Sequence, residues 1–334
     1  MARPKAITSL KDASNAGKRN WLIYADSGTG KTVLGGTAPN ALFLTVEAGG
    51  TESAKTMGST ADEWVVDTWE ELMEAYTWLK SEGAENYEWV VLDSLSEMEE
   101  ACWRAHLKDA KAANSSRNIY QPAIQDYQIV GNKMKAMVDA FNRLNVNILY
   151  TAQAMRIDVE DEENDDTTTL LLPLLGSTKN GVLSQKVCGM VTLVGRLTVS
   201  RRENEQGEVE ELRRLHLNGT KRFVAKDRHN LSRRGVIKNP NIAQMVSRLD
   251  AKLASAPAEE PSGAQADGDN PTANEAEQEI AQDAAEHDAA TGTTRRQALG
   301  EDTPEAAQDG TAVPEDTDER PVRRRRKTYD TEEN

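Results

Sequence analysis

The residues best suited to chemistry form one glycine-rich run near the start of the chain, ADSGTGKT at positions 25–32. Glycines allow a tight turn whose backbone N–H groups point at an anion. The lysine that follows adds a positive charge for phosphate, and the threonine hydroxyl is a suitable Mg²⁺ ligand. Ala25 stands where such loops usually begin with glycine, and a flexible glycine-rich turn is the alternative. The predicted phosphate-binding residues are Asp26, Ser27, Gly28, Thr29, Gly30, Lys31, Thr32 and Val33.

A second element supplies a carboxylate. The segment WVVLDS at 89–94 is an apolar strand that ends at Asp93. A carboxylate at that place can hold Mg²⁺ opposite a phosphate loop, so Thr32 and Asp93 are the predicted metal residues. The alternative is that Asp93 only caps the helix that follows it.

Two further polar residues come directly after apolar strands. Glu47 ends the segment LFLTVE, and Gln153 follows the strand Val146–Ala152. The carboxyl ends of parallel strands meet at one edge of a sheet, so both side chains are expected near the phosphates. Glu47 would orient or deprotonate an attacking water, and Gln153 would sense the terminal phosphate. A surface glutamate and an ordinary loop glutamine are the alternatives.

A pair of cations lies further along, in RFVAKDR at 222–228. Lys226 and Arg228 are two residues apart and would share one face of an extended strand. Such a pair can stabilise charge on the γ-phosphate held by a neighbouring subunit. The alternative is a solvated basic sheet edge.

The elements that must position these residues alternate between strand and helix. Continuous apolar strands separated by amphipathic helices indicate a parallel sheet covered on both faces. Helices are predicted over Thr68–Glu82 and Tyr120–Leu144, the second with Ile124 and Tyr127 on its apolar side. Two hairpins are predicted after Gln153. Their strands are Met155–Val159 with Thr167–Leu172, and Val191–Val199 with Glu210–Leu217.

Composition divides the chain near residue 251. The net charge is −15, and residues 251–334 hold 21 of the 55 acidic side chains but only 9 of the 40 basic ones. This segment has too few large apolar residues to fold, so a disordered acidic tail is expected, with a basic cluster at 323–327. No apolar run is long enough to span a membrane. The two cysteines exclude a disulfide scaffold and fit a reducing compartment.

Taken together, these motifs resemble RecA-like P-loop ATPases of the phage-encoded type related to RecA recombinases and single-strand-annealing ATPases. The resemblance covers roughly residues 5–250 and implies an α/β RecA-like core with a mainly parallel sheet flanked by helices and C-terminal β-hairpins. It implies ATP and Mg²⁺ as cofactors, and catalytic roles for Glu47, Lys31 and Gln153. Lys226 and Arg228 would match the family's finger pair at an ATP site between subunits.

The function expected from the resemblance is DNA-stimulated ATP hydrolysis on single-stranded DNA, in recombination, repair or replication, in the cytoplasm of a host cell. The protein would form a homo-oligomeric ring or filament. A nucleotide-gated adaptor that recruits proteins through the acidic tail is the alternative, and a helicase or packaging motor is a further one. The acidic segment 158–166 repels phosphate, so the DNA contacts expected are Arg156, Lys179, Lys186 and the stretch 108–117.

Overall fold

The computed structural model describes residues 18–161, 166–176, 182–203 and 209–254. No helix in these ranges is long and apolar enough to cross a membrane. The strands are β1 (Asn20–Ala25), β2 (Ala41–Thr45), β3 (Asp62–Val65), β4 (Trp89–Asp93), β5 (Asn147–Asp161), β6 (Asp166–Pro173), β7 (Leu193–Glu203), β8 (Val209–His216), β9 (Lys226–Asp227) and β10 (Val236–Lys238). The helices are α1 (Lys31–Gly35), α2 (Glu52–Thr56), α3 (Trp69–Ser81), α4 (Leu95–Ala113), α5 (Ile124–Asn142), α6 (Val182–Met190) and α7 (Ile242–Ala254), and a 3₁₀ turn spans Gly83–Asn86.

The centre of the molecule is a parallel sheet with the strand order β7-β1-β5-β4-β2-β3. Strand β5 separates β1 from β4. The register pairs Ala25 with Gln153, and Thr45 with Asp93. The carboxyl ends of β1, β4 and β2 therefore lie along one edge, together with Gln153 in the middle of β5. This confirms the predicted α/β fold, with a mainly parallel sheet among helices.

Apolar residues cover both faces of the sheet because every central strand is apolar throughout. In β1, Leu22 and Tyr24 belong to a core formed with α3, α4, α5 and α6. Trp21 and Ile23 point to the other face, where they pack with Leu34 of α1 and with α7. The alternation follows from the two-residue period of a strand. Burial on both faces fixes the register, and with it the positions of the residues that follow each strand.

Helix α5 is shorter than the sequence pattern predicts. It begins at Ile124, after Pro122, and Ala123 is its extended N-cap residue. The helix cannot continue backwards through the proline, because the ring disfavours helical geometry in the residue before it. The prediction that Ile124 lies on the buried side is wrong, since this side chain is 92% exposed. Tyr127 is also exposed, so the buried stripe starts at Val130.

Both predicted hairpins are present. β5 and β6 pair antiparallel from Ala154 with Pro173 onward, and β7 pairs antiparallel with β8. Helix α7 continues to Ala254, across the predicted domain boundary at 250/251. The expected disordered tail beyond it, the basic cluster at 323–327, Lys179 and residues 5–17 lie outside the described residues.

Candidate functional site

The glycine-rich loop connects β1 to α1 at the carboxyl edge of the sheet. Gly28 and Gly30 have φ angles of 75° and 97°, a region that costs side-chain-bearing residues about 1–2 kcal/mol. Thr29 closes the turn, with its hydroxyl donating to the Asp26 carbonyl at 2.7 Å. The sequence needs glycine at both positions because the chain can turn there only with positive φ.

Lys31 lies across the base of this loop. Its Nζ donates to the carbonyl oxygens of Ala25 and Asp26, each at 3.0 Å. Burial lowers the pKa of Lys31, while the nearby Asp93 and Asp26 carboxylates act in the opposite direction. The ammonium group is thus held against the backbone of the loop.

Asp93 lies opposite the loop and contacts Thr32. The Thr32 hydroxyl donates to Asp93 Oδ2 at 2.6 Å, and the Thr151 hydroxyl of β5 donates to Asp93 Oδ1. Helix α4 is capped by Ser94, whose side chain accepts from the Glu97 N–H. The structure therefore assigns the helix cap to Ser94, and Asp93 and Thr32 present adjacent oxygen atoms of the kind that Mg²⁺ prefers. The two residues fit a magnesium ion bound beside a phosphate.

Glu47 follows β2 on the same edge of the sheet. Its exposed side chain lines the same cleft as Lys31, Thr32 and Asp93. The turn that holds it is tied by the Gly50 N–H, which donates to the Glu47 carbonyl at 2.9 Å. A glutamate carboxylate is a side chain of the kind that can accept a proton from water.

Gln153 also lines the cleft. It lies within β5, which continues past the strand end predicted at Ala152, and it joins the start of α4 to the β5–β6 hairpin. Its side-chain Nε2 donates to Glu97 Oε1 at 3.3 Å, and its backbone N–H donates to Ser96 Oγ at 3.1 Å. The Ser96 hydroxyl in turn donates to the Leu174 carbonyl at 2.9 Å, just beyond β6. The start of α4 and the base of the hairpin therefore form one hydrogen-bonded unit.

These side chains surround one cleft of about 380 Å³, within the usual range for small-molecule sites. The structure brings together the predicted residues Lys31, Thr32, Asp93, Glu47 and Gln153. The predicted loop residues Ser27, Gly28, Gly30 and Val33 line the same cleft, whereas Asp26 and Thr29 are not among its lining residues. The remaining lining residues are Thr45, Gly50, Ser53, Ser94, Glu97 and Arg213.

Lys226 and Arg228 lie elsewhere. Strand β9 pairs with Leu193 and Val194 at the start of β7. These two residues lie beside the start of β1, at the opposite end of that strand from the glycine-rich loop. Lys226 Nζ donates to the Cys188 carbonyl at 2.6 Å, at the end of α6, and Arg228 is exposed. Burial and the neighbouring Arg228 lower the pKa of Lys226. In the part of the chain that the structure describes, both cations lie outside the cleft of their own subunit.

Sequence reasoning missed two charged residues of the cleft. Glu97 lies in the first turn of α4 and accepts a hydrogen bond from Gln153. Arg213 is on β8, far along the chain, and its Nε donates to the Thr29 carbonyl at 3.3 Å. No motif marks either one. Only the pairing of β8 with β7, which pairs in turn with β1, places Arg213 against the loop.

Comparison with protein families decides the class of the molecule. Residues 18–229 match the AAA domain family, and this stretch is well over half of the chain. The chain belongs to the AAA domain family. The matched part of this AAA domain includes every residue of the cleft. This match supports the predicted class of a nucleotide-binding P-loop ATPase.

Solved structures similar to this AAA domain have low sequence identity. The flagellar accessory protein FlaH from Methanocaldococcus jannaschii is 10% identical, with a TM-score of 0.32, over 66% of this chain and 89% of that one. The RadB recombinase is 14% identical, with a TM-score of 0.34, over 59% and 79%. A third structure, of an ATPase domain, is 13% identical, with a TM-score of 0.38, over 68% and 83%. No curated protein matches the chain.

Proposed function

We propose that this AAA domain protein hydrolyses ATP with Mg²⁺ and acts on single-stranded DNA in recombination, repair or replication. The observation that carries the proposal is the convergence of Lys31, Thr32, Asp93 and Glu47 on one cleft. Mg²⁺, held by Thr32 and Asp93, would supply charge neutralisation at the phosphates. Lys31 and the loop N–H groups bind the phosphate chain, and Glu47 orients water and accepts its proton.

The DNA surface that we propose is the connection between α4 and α5, with the start of α5. Tyr120 is 89% exposed and Ile124 is 92% exposed, and Ile119 and Tyr127 are exposed beside them. The exposed Lys108 and Lys111 precede them at the end of α4. Aromatic side chains next to cations suit single-stranded DNA, because bases stack on the rings while the cations meet phosphates.

A buried ion cluster fixes this surface to the core. Asp126 of α5 accepts from His106 Nε2 at 2.9 Å, from the Ala123 N–H at 2.7 Å and from the Arg117 guanidinium. Burial alone would raise the pKa of Asp126, but the hydrogen bonds from His106, Ala123 and Arg117 outweigh it and lower that pKa. The connection is thus anchored at its base, and its exposed side chains are available to a ligand.

Other predicted DNA contacts have different neighbours. Nη2 of Arg156 in β5 lies 3.9 Å from Oδ2 of Asp26 in the glycine-rich loop. It is therefore better placed to link the β5–β6 hairpin to the loop than to bind DNA alone. Lys186 is an exposed residue of α6 and stays a candidate.

The proposal also includes an oligomer. Lys226 and Arg228 lie outside the cleft of their own chain, and we propose that they act at the site of a neighbouring subunit in a ring or filament. A phage origin, a cytoplasmic location in the host and recruitment of protein partners through residues 251–334 belong to the same proposal.

Binding of a fluorescent single-stranded DNA tests the surface directly. Tyr120→Ala should weaken affinity by about tenfold or more, the scale of one lost base-stacking contact. Met57→Ala is the matched control, because Met57 is 70% exposed at the end of α2. Equal affinity of the Tyr120→Ala and Met57→Ala variants would contradict this surface.

A further inference from the structure

Arg213 is the cleft residue that the roles described above leave unused. Its side chain crosses from β8 to the phosphate loop, where Nε donates to the Thr29 carbonyl at 3.3 Å. A Cβ atom built on Gly30 would lie 2.8 Å from this Nε. The guanidinium group therefore lies directly against the loop segment whose N–H groups would bind phosphate.

The backbone of Arg213 is held on both sides. It pairs with Val199 of β7 on one side. On the other side, its N–H donates to Asn239 Oδ1 at 3.1 Å, and its carbonyl accepts from the Asn239 N–H at 2.7 Å. These contacts fix the position of the Arg213 backbone beside the loop.

Glu211 orients the guanidinium group. Arg213 Nη2 lies 2.6 Å from Glu211 Oε2, and Arg201 Nε lies 3.0 Å from Glu211 Oε1. The hydrogen bond from Arg201 and the charge of Arg213 lower the pKa of Glu211 and keep it ionised. The bonds to Thr29 and Glu211 use two of the five N–H donors of a guanidinium.

We propose that Arg213 is a second phosphate-binding cation of this site, supplied by β8 of the same chain, which contacts the α- and β-phosphates of the nucleotide. The assignment rests on the proposed nucleotide-binding function. Lys31 and Arg213 would then contact the phosphate chain from two sides. Because Arg213 lies against Gly30, we assign it to the α- and β-phosphates. The N–H groups of such a loop bind these two phosphates, while the loop lysine reaches towards the γ-phosphate.

The test is the affinity of the full chain for ATP and for ADP, measured by calorimetry with Mg²⁺ present. Arg213→Ala should weaken both affinities by a similar factor of about 10–100, the scale of one charge-assisted hydrogen bond. Arg213→Lys keeps the charge but not the planar fork, so it should give an intermediate affinity. A thermal unfolding curve for each variant checks that it is folded.

Arg201→Ala is the matched control, since it removes the other partner of Glu211 without touching the loop. We expect it to bind ATP and ADP like the wild type. If Arg201→Ala weakens binding as much as Arg213→Ala, the hairpin packing and not phosphate contact is responsible, and the proposal is wrong. If Arg213→Ala binds ATP and ADP with wild-type affinity while Lys31→Ala does not bind them, the role of Arg213 is wrong but the proposed function stands. Absence of ATP binding by the wild type would contradict the proposed function as well.

Discussion

The Thr32 hydroxyl donates a 2.6 Å hydrogen bond to Asp93 Oδ2, although the two residues are 61 positions apart in the chain. Thr32 lies in the first turn of α1, directly after the glycine-rich loop, and Asp93 is the last residue of β4, which is two strands away from β1 in the sheet. This contact joins the two halves of the site, and both residues present oxygen atoms suited to Mg²⁺.

Replacing Asp93 tests the metal role. Asp93→Asn keeps an oxygen for the Thr32 hydroxyl but removes the negative charge, so Mg²⁺-dependent hydrolysis should fall by about a hundredfold or more. ATP affinity should change much less, because Lys31 and the loop remain. Asp67→Asn, which changes an exposed aspartate just before α3, serves as the control. Full turnover in the Asp93→Asn variant would rule out this role.

The roles of the two glutamates of the cleft, Glu47 and Glu97, can be separated by matched substitutions. Glu47→Gln should reduce hydrolysis by about a hundredfold or more while ATP still binds, because the side chain that accepts the proton of water is lost. Glu97→Gln should reduce it less, since Glu97 is engaged by Gln153. Single-turnover rates with bound ATP measure both. If Glu97→Gln lowers the hydrolysis rate more than Glu47→Gln does, Glu97 rather than Glu47 accepts the proton of water.

The two loop glycines should differ in their tolerance of alanine. Both have positive φ, so each substitution should cost about 1–2 kcal/mol of stability. Only at Gly30 would the new Cβ also meet Arg213, whereas at Gly28 it meets nothing within 4 Å. ATP titration should therefore show a larger loss of affinity for Gly30→Ala. Equal losses in the two variants would argue against close contact between Arg213 and the loop.

Lys226 and Arg228 should respond differently to alanine. Lys226→Ala removes the cation that binds the Cys188 carbonyl at the end of α6, so it should lower stability by about 1–2 kcal/mol. Arg228 is exposed, and Arg228→Ala should leave the unfolding curve unchanged. Both variants should hydrolyse ATP more slowly while binding it normally, if these cations act on a neighbouring subunit. Wild-type turnover in both would remove the inter-subunit role.

His216 should make stability depend on pH. Burial, with the charges of Arg196 and Arg214, lowers its pKa from 6.5 to about 4. Below pH 6.5 the unfolded chain binds the proton more readily, so this residue should lower the free energy of unfolding progressively down to pH 4, by about 3 kcal/mol in total. Denaturant titrations of wild type and His216→Phe between pH 4 and 7.5 measure the difference. An identical pH dependence in the two proteins would show that His216 is not the source.

Much of the site could be predicted because local patterns encode it. The loop 25–32 needs glycine at two positive-φ positions, and the apolar segments that precede Glu47, Asp93 and Gln153 in β2, β4 and β5 fix the positions of these residues. The sequence could not reveal Arg213, whose approach depends on pairing between strands distant in the chain. It also misplaced the start of α5, because a helical apolar pattern continues through residues that Pro122 keeps out of the helix.

The central claim is that the cleft hydrolyses ATP under the control of DNA. ATP turnover by the purified chain, with and without single-stranded DNA, measures this most directly, with Lys31→Ala as the inactive control. The account predicts turnover that DNA increases and added salt decreases, and that the control lacks. Tight ATP binding with a turnover that DNA leaves unchanged would contradict it.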